Sequence, residues 1–460
     1  MRRVWAVIGA LALVVTVAPV AHTGASFTAQ AVSPGGTTTT AVLPPPAVAA
    51  ESSAMGLAQL SWDEPTIRPE VASTFTVERT IDGQTTAIDV GDGLTGDGMT
   101  VPPLGLAATP VTQISANLSS CAIAGGEVYC WGGSLFMSGP DAENVWTPMR
   151  MLGELEGHVA TRVSVGPHHA CAVADGAAYC WGNNTLGRLG DGTMTSRLAP
   201  AKVGGALAGK VVTDISAGAS GTCAVADSRA YCWGDGGLGQ LGDGLGQWSL
   251  VPVAVRGALE DTDVTSIATG SATSCAVVEG AAYCWGWNAA GQLGDDTRVN
   301  RMMPVAVSTE GVLGGLVVTQ VAVAERHSCA LAAARVFCWG ENVYGRLGDG
   351  TVASSDVPVA VDTSGVLAGR EVTAVTLGSR YGCALAGGRP FCWGANSSGE
   401  RGDGAATGDR LAPVAVTAIS GTVTDFTAGG STRALSSRGW PAVGARGVRA
   451  VSAMARRRAR

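Results

Sequence analysis

Short apolar stretches alternate with polar turns along most of the chain, and one unit shows the pattern clearly. In this unit, residues 212–215, 223–225, 231–234 and 251–255 are rich in β-branched, aromatic and small apolar side chains, and Gly, Asp or Pro bounds each stretch. Stretches of this length and composition predict strands rather than helices. We therefore expect about four short strands in each such unit.

The cysteines show that the unit repeats. They form pairs whose members are nine positions apart, and successive pairs begin 50 to 54 residues apart. The pairs are Cys121 with Cys130, Cys171 with Cys180, Cys223 with Cys232, Cys275 with Cys284, Cys329 with Cys338 and Cys383 with Cys392. About four short strands in roughly 50 residues is the pattern of a β-propeller blade.

Each cysteine pair flanks a predicted β-hairpin. In the segment C-A-V-A-D-G-A-A-Y-C at 171–180, Asp175-Gly176 is a strong signal for a two-residue type I′ turn. Counting outward from that turn makes Cys171 and Cys180 a non-hydrogen-bonded pair, with Cα atoms about 4.5 Å apart and within disulfide range. The register favours one local disulfide in each of six blades. The alternatives are buried, reduced cysteines, or a zinc site, which would need thiolates clustered at shorter spacings.

A Trp-Gly dipeptide follows the second cysteine of every pair. The tryptophans are Trp131, Trp181, Trp233, Trp285, Trp339 and Trp393. Because neighbouring residues on a strand face opposite sides of the sheet, cysteine and tryptophan serve different surfaces. We expect these tryptophans to pack between blades, and a ring of ligand-binding tryptophans is the alternative.

A glycine-rich loop follows the Trp-Gly dipeptide, as in G-R-L-G-D-G at 187–192 and 345–350 and G-Q-L-G-D-G at 239–244. The combined pattern C-A-x7-C-W-G-x-N-x-x-G-x-L-G-D-G-T, followed by P-V-x-V, resembles bacterial repeats of the regulator-of-chromosome-condensation family. The resemblance covers about 110–435 and implies a propeller, typically of seven blades.

Two units depart from this pattern. The first has W-G-G-S-L-F-M-S-G-P in place of the glycine-rich loop, and a seventh begins at Val423 and carries Arg433 where a cysteine is expected. The predicted fold is all-β, a β-propeller of about seven four-stranded blades, six well formed and one degenerate, preceded by a short β segment. The closure of the ring stays open at this point.

The segments outside the repeats suggest export. Arg2 and Arg3 precede an apolar run over residues 4–20, and an A-x-A motif follows at 29–31, which is the layout of a secretory signal. Residues 51–108 look like the first half of a fibronectin type III module, and an irregular β lead-in is the alternative. We assign the signal peptide to 1–31, a Pro/Thr-rich linker to 32–50, the short β segment to 51–108, the propeller to 109–440 and an Arg-rich tail to 441–460. An uncleaved signal would be the one membrane anchor that we expect.

Charge and motif content argue against several other functions. The net charge is −7, the pI is about 5.3, and Lys202 and Lys210 are the only lysines, which disfavours a nucleic-acid partner. The G-x-G-x-x-G match at 237–242 lacks the helix that a dinucleotide site requires. We find no nucleophile elbow, no paired-carboxylate motif and no Ser/His/Asp set, so we predict that the protein is not an enzyme and uses no cofactor.

Acidic and histidine side chains are the remaining candidates for metal ligands. One aspartate recurs in the loops, and we expect it to bond its own turn rather than calcium. These residues are Asp191, Asp243, Asp295, Asp349 and Asp403. His168, His169 and His327 have no repeated partner, so we interpret them as surface variation rather than zinc ligands, and we predict no metal site.

The leading functional hypothesis is a secreted or cell-surface binding module, monomeric and non-catalytic, that recognises an extracellular protein or glycan through its loops. Trp146, Trp248 and Trp287 break the repeat in predicted loops, and exposed tryptophan is favoured in binding hot spots. Packing beneath the loops is the alternative for these three residues.

The resemblance adds two further hypotheses. One is a secreted enzyme inhibitor, similar in fold to β-lactamase-inhibitory propellers. The other is the guanine-nucleotide exchange of the eukaryotic namesake, which the export signal, the cysteines and the acidic charge disfavour. A secreted enzyme such as a glycosidase is the last hypothesis.

Overall fold

We describe the fold from a computed structural model. It describes residues 110–132, 148–397, 399–405, 408–417 and 422–429 in full, and the backbone alone of 145–147, 432–437 and nine strands before residue 90. The chain divides into two compact units, Met1–Pro103 and Leu104–Arg460.

The first unit contains nine short strands. They are β1 (Ala6–Ile8), β2 (Leu11–Leu13), β3 (Thr16–Val17), β4 (Ser26–Val32), β5 (Thr38–Leu43), β6 (Ala47–Val48), β7 (Ala58–Ser61), β8 (Thr74–Ile81) and β9 (Gln84–Asp89). The sheet orders are β1-β2, β3-β7-β6 and β5-β4-β8-β9. The remaining residues of the predicted signal, linker and β segment, and the tail 441–460, lie outside the described residues, so these assignments stay predictions.

The second unit contains six antiparallel sheets of four strands each, which are the predicted propeller blades. Blade 1 comprises β10 (Val111–Ala116), β11 (Ser119–Ala124), β12 (Glu127–Gly132) and β13 (Val145–Arg150). Blade 2 comprises β14 (Ala160–Val165), β15 (His169–Ala174), β16 (Ala177–Gly182) and β17 (Arg197–Lys202). Blade 3 comprises β18 (Val212–Ala217), β19 (Gly221–Ala226), β20 (Arg229–Gly234) and β21 (Ser249–Ala254).

The next three blades repeat this order. Blade 4 comprises β22 (Val264–Thr269), β23 (Thr273–Val278), β24 (Ala281–Gly286) and β25 (Arg301–Ala306). Blade 5 comprises β26 (Val318–Val323), β27 (His327–Ala332), β28 (Arg335–Gly340) and β29 (Ser355–Ala360). Blade 6 comprises β30 (Val372–Leu377), β31 (Tyr381–Ala386), β32 (Arg389–Gly394) and β33 (Arg410–Ala415). Short 3-10 turns cover Gly153–Leu155, Thr185–Gly187, Gly205–Leu207, Gly257–Leu259 and Val343–Gly345.

A two-stranded sheet, β34 (Val423–Gly429) and β35 (Thr432–Ser437), closes the ring. The first strand of each blade contacts the first strand of the next, and β34 contacts both β30 and β10. The Asp425 carboxylate accepts a hydrogen bond from the Ile114 amide of blade 1 at 2.8 Å, and the Ala428 amide donates to Thr376 Oγ1 of blade 6 at 3.0 Å. The degenerate seventh unit therefore completes the circle.

One detail of the seventh unit was predicted wrongly. We call the first strand of each blade its inner strand. In the complete blades, the first cysteine lies opposite the fifth residue of the inner strand, as Cys171 lies opposite Ser164. The corresponding residue Thr427 lies opposite Ala434. Ala434, rather than Arg433, therefore occupies the cysteine position.

Side chains connect the inner strands across the blade boundaries. Neighbouring inner strands belong to separate sheets, so backbone N–H groups on that edge need other acceptors. The Gln113 side chain accepts from the Val163 amide at 2.7 Å, and Ser115 Oγ accepts from the Val165 amide at 3.0 Å. Burial raises the pKa of the comparable Asp214 carboxyl, although the Arg162 charge opposes the shift.

The predicted hairpin register is confirmed. Cys171 pairs with Cys180, Ala172 with Tyr179 and Val173 with Ala178. Asp175 and Gly176 both have positive φ, 47° and 72°, as a type I′ turn requires.

The six predicted cysteine pairs are all joined as disulfides, one in each complete blade. Their Cα–Cα distances are 4.0 to 4.1 Å, slightly shorter than the expected 4.5 Å. The bonds join Cys121 to Cys130, Cys171 to Cys180, Cys223 to Cys232, Cys275 to Cys284, Cys329 to Cys338 and Cys383 to Cys392. The structure therefore supports the disulfides over the alternatives of reduced cysteines and a zinc site.

Candidate functional site

The glycine-rich loops of blades 2 to 5 are each fixed by the tryptophan of the next blade. The Arg188 carbonyl accepts hydrogen bonds from Trp233 Nε1 at 2.9 Å and from Thr222 Oγ1 at 3.0 Å. A Cβ atom at Gly190, where φ is +70°, would lie 2.7 Å from Trp233 Nε1, so this position needs glycine. The same contact joins Trp285 to Gln240, Trp339 to Gln292 and Trp393 to Arg346. These four tryptophans and Trp181 are fully buried, which confirms the predicted blade-to-blade packing for them, whereas Trp131 is partly buried.

The recurring loop aspartate organises its own turn, as predicted. Asp191 Oδ1 accepts from the amide and hydroxyl of Thr193 and from Asn184 Nδ2, and Asp191 Oδ2 accepts from Arg197 Nε at 2.6 Å. Burial alone would raise the pKa of Asp191, but the bonds from Arg197 and Thr193 outweigh it and lower the pKa. Within the described parts of the chain, no three side chains of His, Cys, Asp or Glu converge to hold a metal ion.

The loops and the turns between the first and second strands share one end of the propeller, which we call the loop face. The hairpin turns such as Asp175-Gly176 lie at the opposite end, because successive strands run antiparallel. The loop face of blades 4 to 6 carries a group of charged and aromatic side chains that we call the loop-face cluster. Its members are Trp287, Glu325, Arg326, Glu341, Tyr344, Arg346 and Arg380.

Contacts across the blade boundaries assemble the loop-face cluster. The Arg326 guanidinium of blade 5 lies 5.1 Å from the centre of the Trp287 ring of blade 4. Glu341 binds Arg326 at 3.4 Å and Arg346 at 2.9 Å. The Tyr344 ring is flanked by two guanidinium groups, Arg346 at 5.9 Å and Arg380 of blade 6 at 5.7 Å. Cation–π contacts of this kind contribute about 0.5–1 kcal/mol each at exposed sites.

The arginines of this cluster differ in their surroundings. Burial is the main cause that lowers the pKa of Arg346; Glu341 opposes the shift, and the like charge of Arg380 adds to it. Arg346 is almost completely buried, whereas Arg380 is exposed and Tyr344 is 39% exposed. The cluster therefore exposes the Arg380 cation and the Tyr344 ring next to the buried, ion-paired Arg346.

Residues 143–435, more than half of the chain, match the RCC1-like domain. The chain belongs to the RCC1-like domain family. A curated relative is the ultraviolet-B receptor UVR8 of Arabidopsis thaliana, 31% identical over 339 residues that cover 71% of this chain and 73% of UVR8. The E3 ubiquitin-protein ligase HERC2 of Homo sapiens is 31% identical over 277 residues, which are 58% of this chain and 6% of HERC2.

Solved structures of low sequence identity share the fold. Human WBSCR16 has a TM-score of 0.64 at 19% identity and covers 90% of this chain and 100% of its own. Prp20p of Saccharomyces cerevisiae has a TM-score of 0.61 at 20% identity and covers 71% of this chain and 82% of its own. These likenesses support the RCC1-like propeller fold alone.

Two histidines of this RCC1-like propeller were predicted wrongly as surface variation. His169 and His327 are completely buried at blade boundaries, whereas His168 is exposed. His169 Nε2 lies 2.7 Å from Thr222 Oγ1 of the next blade, and burial, with Arg188 nearby, lowers the pKa of His169 to about 3.

The imidazole of His327 has no hydrogen-bond partner among the described residues. In the blade that follows His327, the residue equivalent to Thr222 is Gly382, which has no hydroxyl. A Cβ atom added at Gly382 would lie 2.6 Å from Trp393. Burial, with Arg346 nearby, lowers the pKa of His327 well below its ordinary value.

The structure places the three candidate tryptophans in different blades with different surroundings. Trp248 directly precedes β21 and is 50% exposed. Trp287 follows β24, is partly buried and belongs to the loop-face cluster. Trp146 lies within β13 rather than in a loop, which corrects that assignment, and its side chain is outside the described residues. The other members of the loop-face cluster were missed by the sequence analysis.

Proposed function

We propose that this RCC1-like propeller is an exported, non-catalytic binding module that recognises a protein through its loop face. The observation that supports this proposal best is the loop-face cluster, which spans three blades and joins Trp287, Tyr344 and Arg380 on a rigid ring. Trp, Tyr and Arg are the residues most enriched in the hot spots of protein interfaces. Loops can vary without disturbing the strands, so a propeller face suits a recognition surface.

The relatives are compatible with a binding or regulatory role, since they include a receptor and a ubiquitin ligase, and Prp20p is described with binding properties to Gsp1p and histones. Export is supported by six disulfides, which persist in oxidising compartments, and by the signal-like apolar run at residues 4–20. We therefore expect the partner outside the cytoplasm.

Partner capture with matched variants tests this proposal. The double variant Trp287→Asn with Arg326→Ser introduces residues that equivalent positions already carry, Asn183 and Ser220. The control is Arg335→Ala, which removes a similar cation–π contact, to Phe337 at 5.5 Å, from the opposite face. Each protein is immobilised and exposed to culture medium and cell-envelope extract of the organism that makes it.

We expect the wild type and Arg335→Ala to capture the same protein and the double variant to lose it. Loss of hot-spot contacts of at least 2 kcal/mol weakens Kd by about thirtyfold. Equal capture by all three proteins, with unchanged melting temperatures, would exclude the cluster as the binding surface. Capture of a glycan without any protein would mean that the partner is a glycan rather than a protein.

A further inference from the structure

Arg380 is the least satisfied charge in the loop-face cluster. Its guanidinium contacts the Tyr344 ring at 5.7 Å, and no carboxylate lies within ion-pair distance among the described residues. Glu341 already pairs with Arg346 and Arg326, and Glu325 lies beside Arg326 at 3.7 Å. The two glutamates of the cluster thus pair with two of its three arginines, and Arg380 is the third.

The unmatched charge is also a repeat-breaking feature. The positions equivalent to Arg380 carry His168, Ser220 and Ala272 in blades 2 to 4 and an arginine, Arg326, in blade 5 alone of these four, and Tyr344 has the equivalents Leu186 and Leu238. Leu186 and Tyr344 share the same left-handed backbone, with φ of 60° and 73°. The loop conformation therefore does not require an aromatic ring, and the strand ends do not require an arginine.

We infer that Arg380 and Tyr344 form a subsite for a carboxylate on an acidic segment of a protein partner. Arginine binds a carboxylate through two parallel N–H···O bonds, and its guanidinium can remain over the tyrosine ring while it does so. This inference rests on the proposed function, because it names the chemistry that the same face selects.

The charges around the subsite favour a protein segment over a polyanionic glycan. Glu325, 52% exposed, and Glu341 stand within the cluster and would repel a chain of regularly spaced sulfates. The propeller carries two lysines and the chain has a net charge of −7, which disfavours a polyanionic ligand. A protein segment can place one carboxylate at Arg380 and a hydrogen-bond donor near the Glu325 carboxylate.

The test uses defined probes and the full mature protein. The probes are a short peptide that alternates Glu with Leu, its Gln-for-Glu twin, and a heparin oligosaccharide, and binding is measured by isothermal titration at low and high salt. The variants Arg380→Ser and Tyr344→Leu introduce residues that equivalent positions already carry. The variant Arg380→Lys keeps the positive charge. The control is Arg370→Ser, which removes one charge from the opposite face of blade 6, where Arg370 lies 5.5 Å from the Phe391 ring.

We expect the Glu peptide to bind more tightly than the Gln twin, and Arg380→Ser to weaken it by roughly tenfold at low salt. Arg380→Lys should retain part of the affinity, because it keeps the charge but not the paired bonds. Arg370→Ser should leave it unchanged. Equal binding of both peptides, or an equal loss in Arg370→Ser, would overturn the inference, as would a preference for heparin.

The captured partner separates this inference from the proposed function. If the double variant Trp287→Asn with Arg326→Ser abolishes capture while Arg380→Ser and high salt leave it intact, the loop face binds protein without the carboxylate subsite. If neither change affects capture, both proposals fail.

Discussion

Acidification should destabilise the propeller through its two buried histidines. His169 and His327 are completely buried, and they lie near Arg188 and Arg346 respectively. The folded protein therefore holds both histidines neutral. The informative comparison is the wild type against the double variant His169→Thr with His327→Thr. Thr273 stands at the same register position of blade 4, opposite Gly286, as His169 stands opposite Gly182 and His327 opposite Gly340.

The sign of the effect follows from proton uptake. In the unfolded chain each histidine has a pKa of about 6.5, whereas the pKa of folded His169 is lowered to about 3 and that of His327 also lies well below the ordinary value. Below about pH 6.5 the unfolded state binds protons that the folded state rejects, so the free energy of unfolding falls as the pH falls. The loss ends only when the pH reaches the folded pKa.

The magnitude can be worked out for a modest pH change. Between about pH 7 and pH 5, His169 removes about 2 kcal/mol from the free energy of unfolding, and His327 acts in the same direction. Asp214 and Asp425, whose pKa values burial raises, act in the opposite direction at lower pH, but they are the same in both proteins. The difference in slope therefore isolates the histidines.

Urea unfolding at a series of pH values, with the disulfides intact, measures this slope. We expect the free energy of unfolding of the wild type to fall more steeply over this interval than that of the double variant, whatever their values at neutral pH. Parallel slopes would refute the argument, because they would mean that the folded protein accepts these protons or that the histidines are hydrated.

Two further predictions concern the blade interiors. Peptide mass mapping without reduction should find six local disulfides, each joining cysteines nine apart; free thiols throughout, or bridges between blades, would contradict both the register and the proposed export. Trp233→Ala should cost roughly 3–5 kcal/mol, because its ring is fully buried between blades. Trp248→Ala should leave the melting temperature nearly unchanged because that ring is 50% exposed, and an equal loss of stability in both variants would show that Trp248 is a packing residue.

Features governed by neighbours within one hairpin could be predicted from the sequence. The turn Asp175-Gly176 and the pairing of Cys171 with Cys180 depend on ten consecutive residues. The type I′ turn sets the register, and the register sets which side chains meet. Repetition of this hairpin then indicated the blade and the propeller.

Apart from the packing of the tryptophans between blades, features governed by the next blade were missed. His169 was taken as a surface residue because nothing near it in sequence explained a buried imidazole; its partner Thr222 is 53 positions away. The closure of the ring depended on Asp425 meeting Ile114, a separation of 311 residues. The pattern of neighbouring residues carries no information about such contacts, because the ring geometry brings together residues that are far apart in the sequence.

The loop-face cluster shows which signal could have found them. Aligning the repeats places Arg326 in the turn after an inner strand and Trp287 directly after a Trp-Gly dipeptide, one blade earlier. In blades 3 to 6 the tryptophan binds the loop of the preceding blade, so residues should be compared with an offset of one repeat rather than in register. With that offset, the arginines of blades 5 and 6 fall beside the aromatic and acidic residues of blades 4 and 5, as the structure places them. In a propeller of this type, candidate sites are therefore better sought among repeat-breaking residues of adjacent blades than among those of one blade.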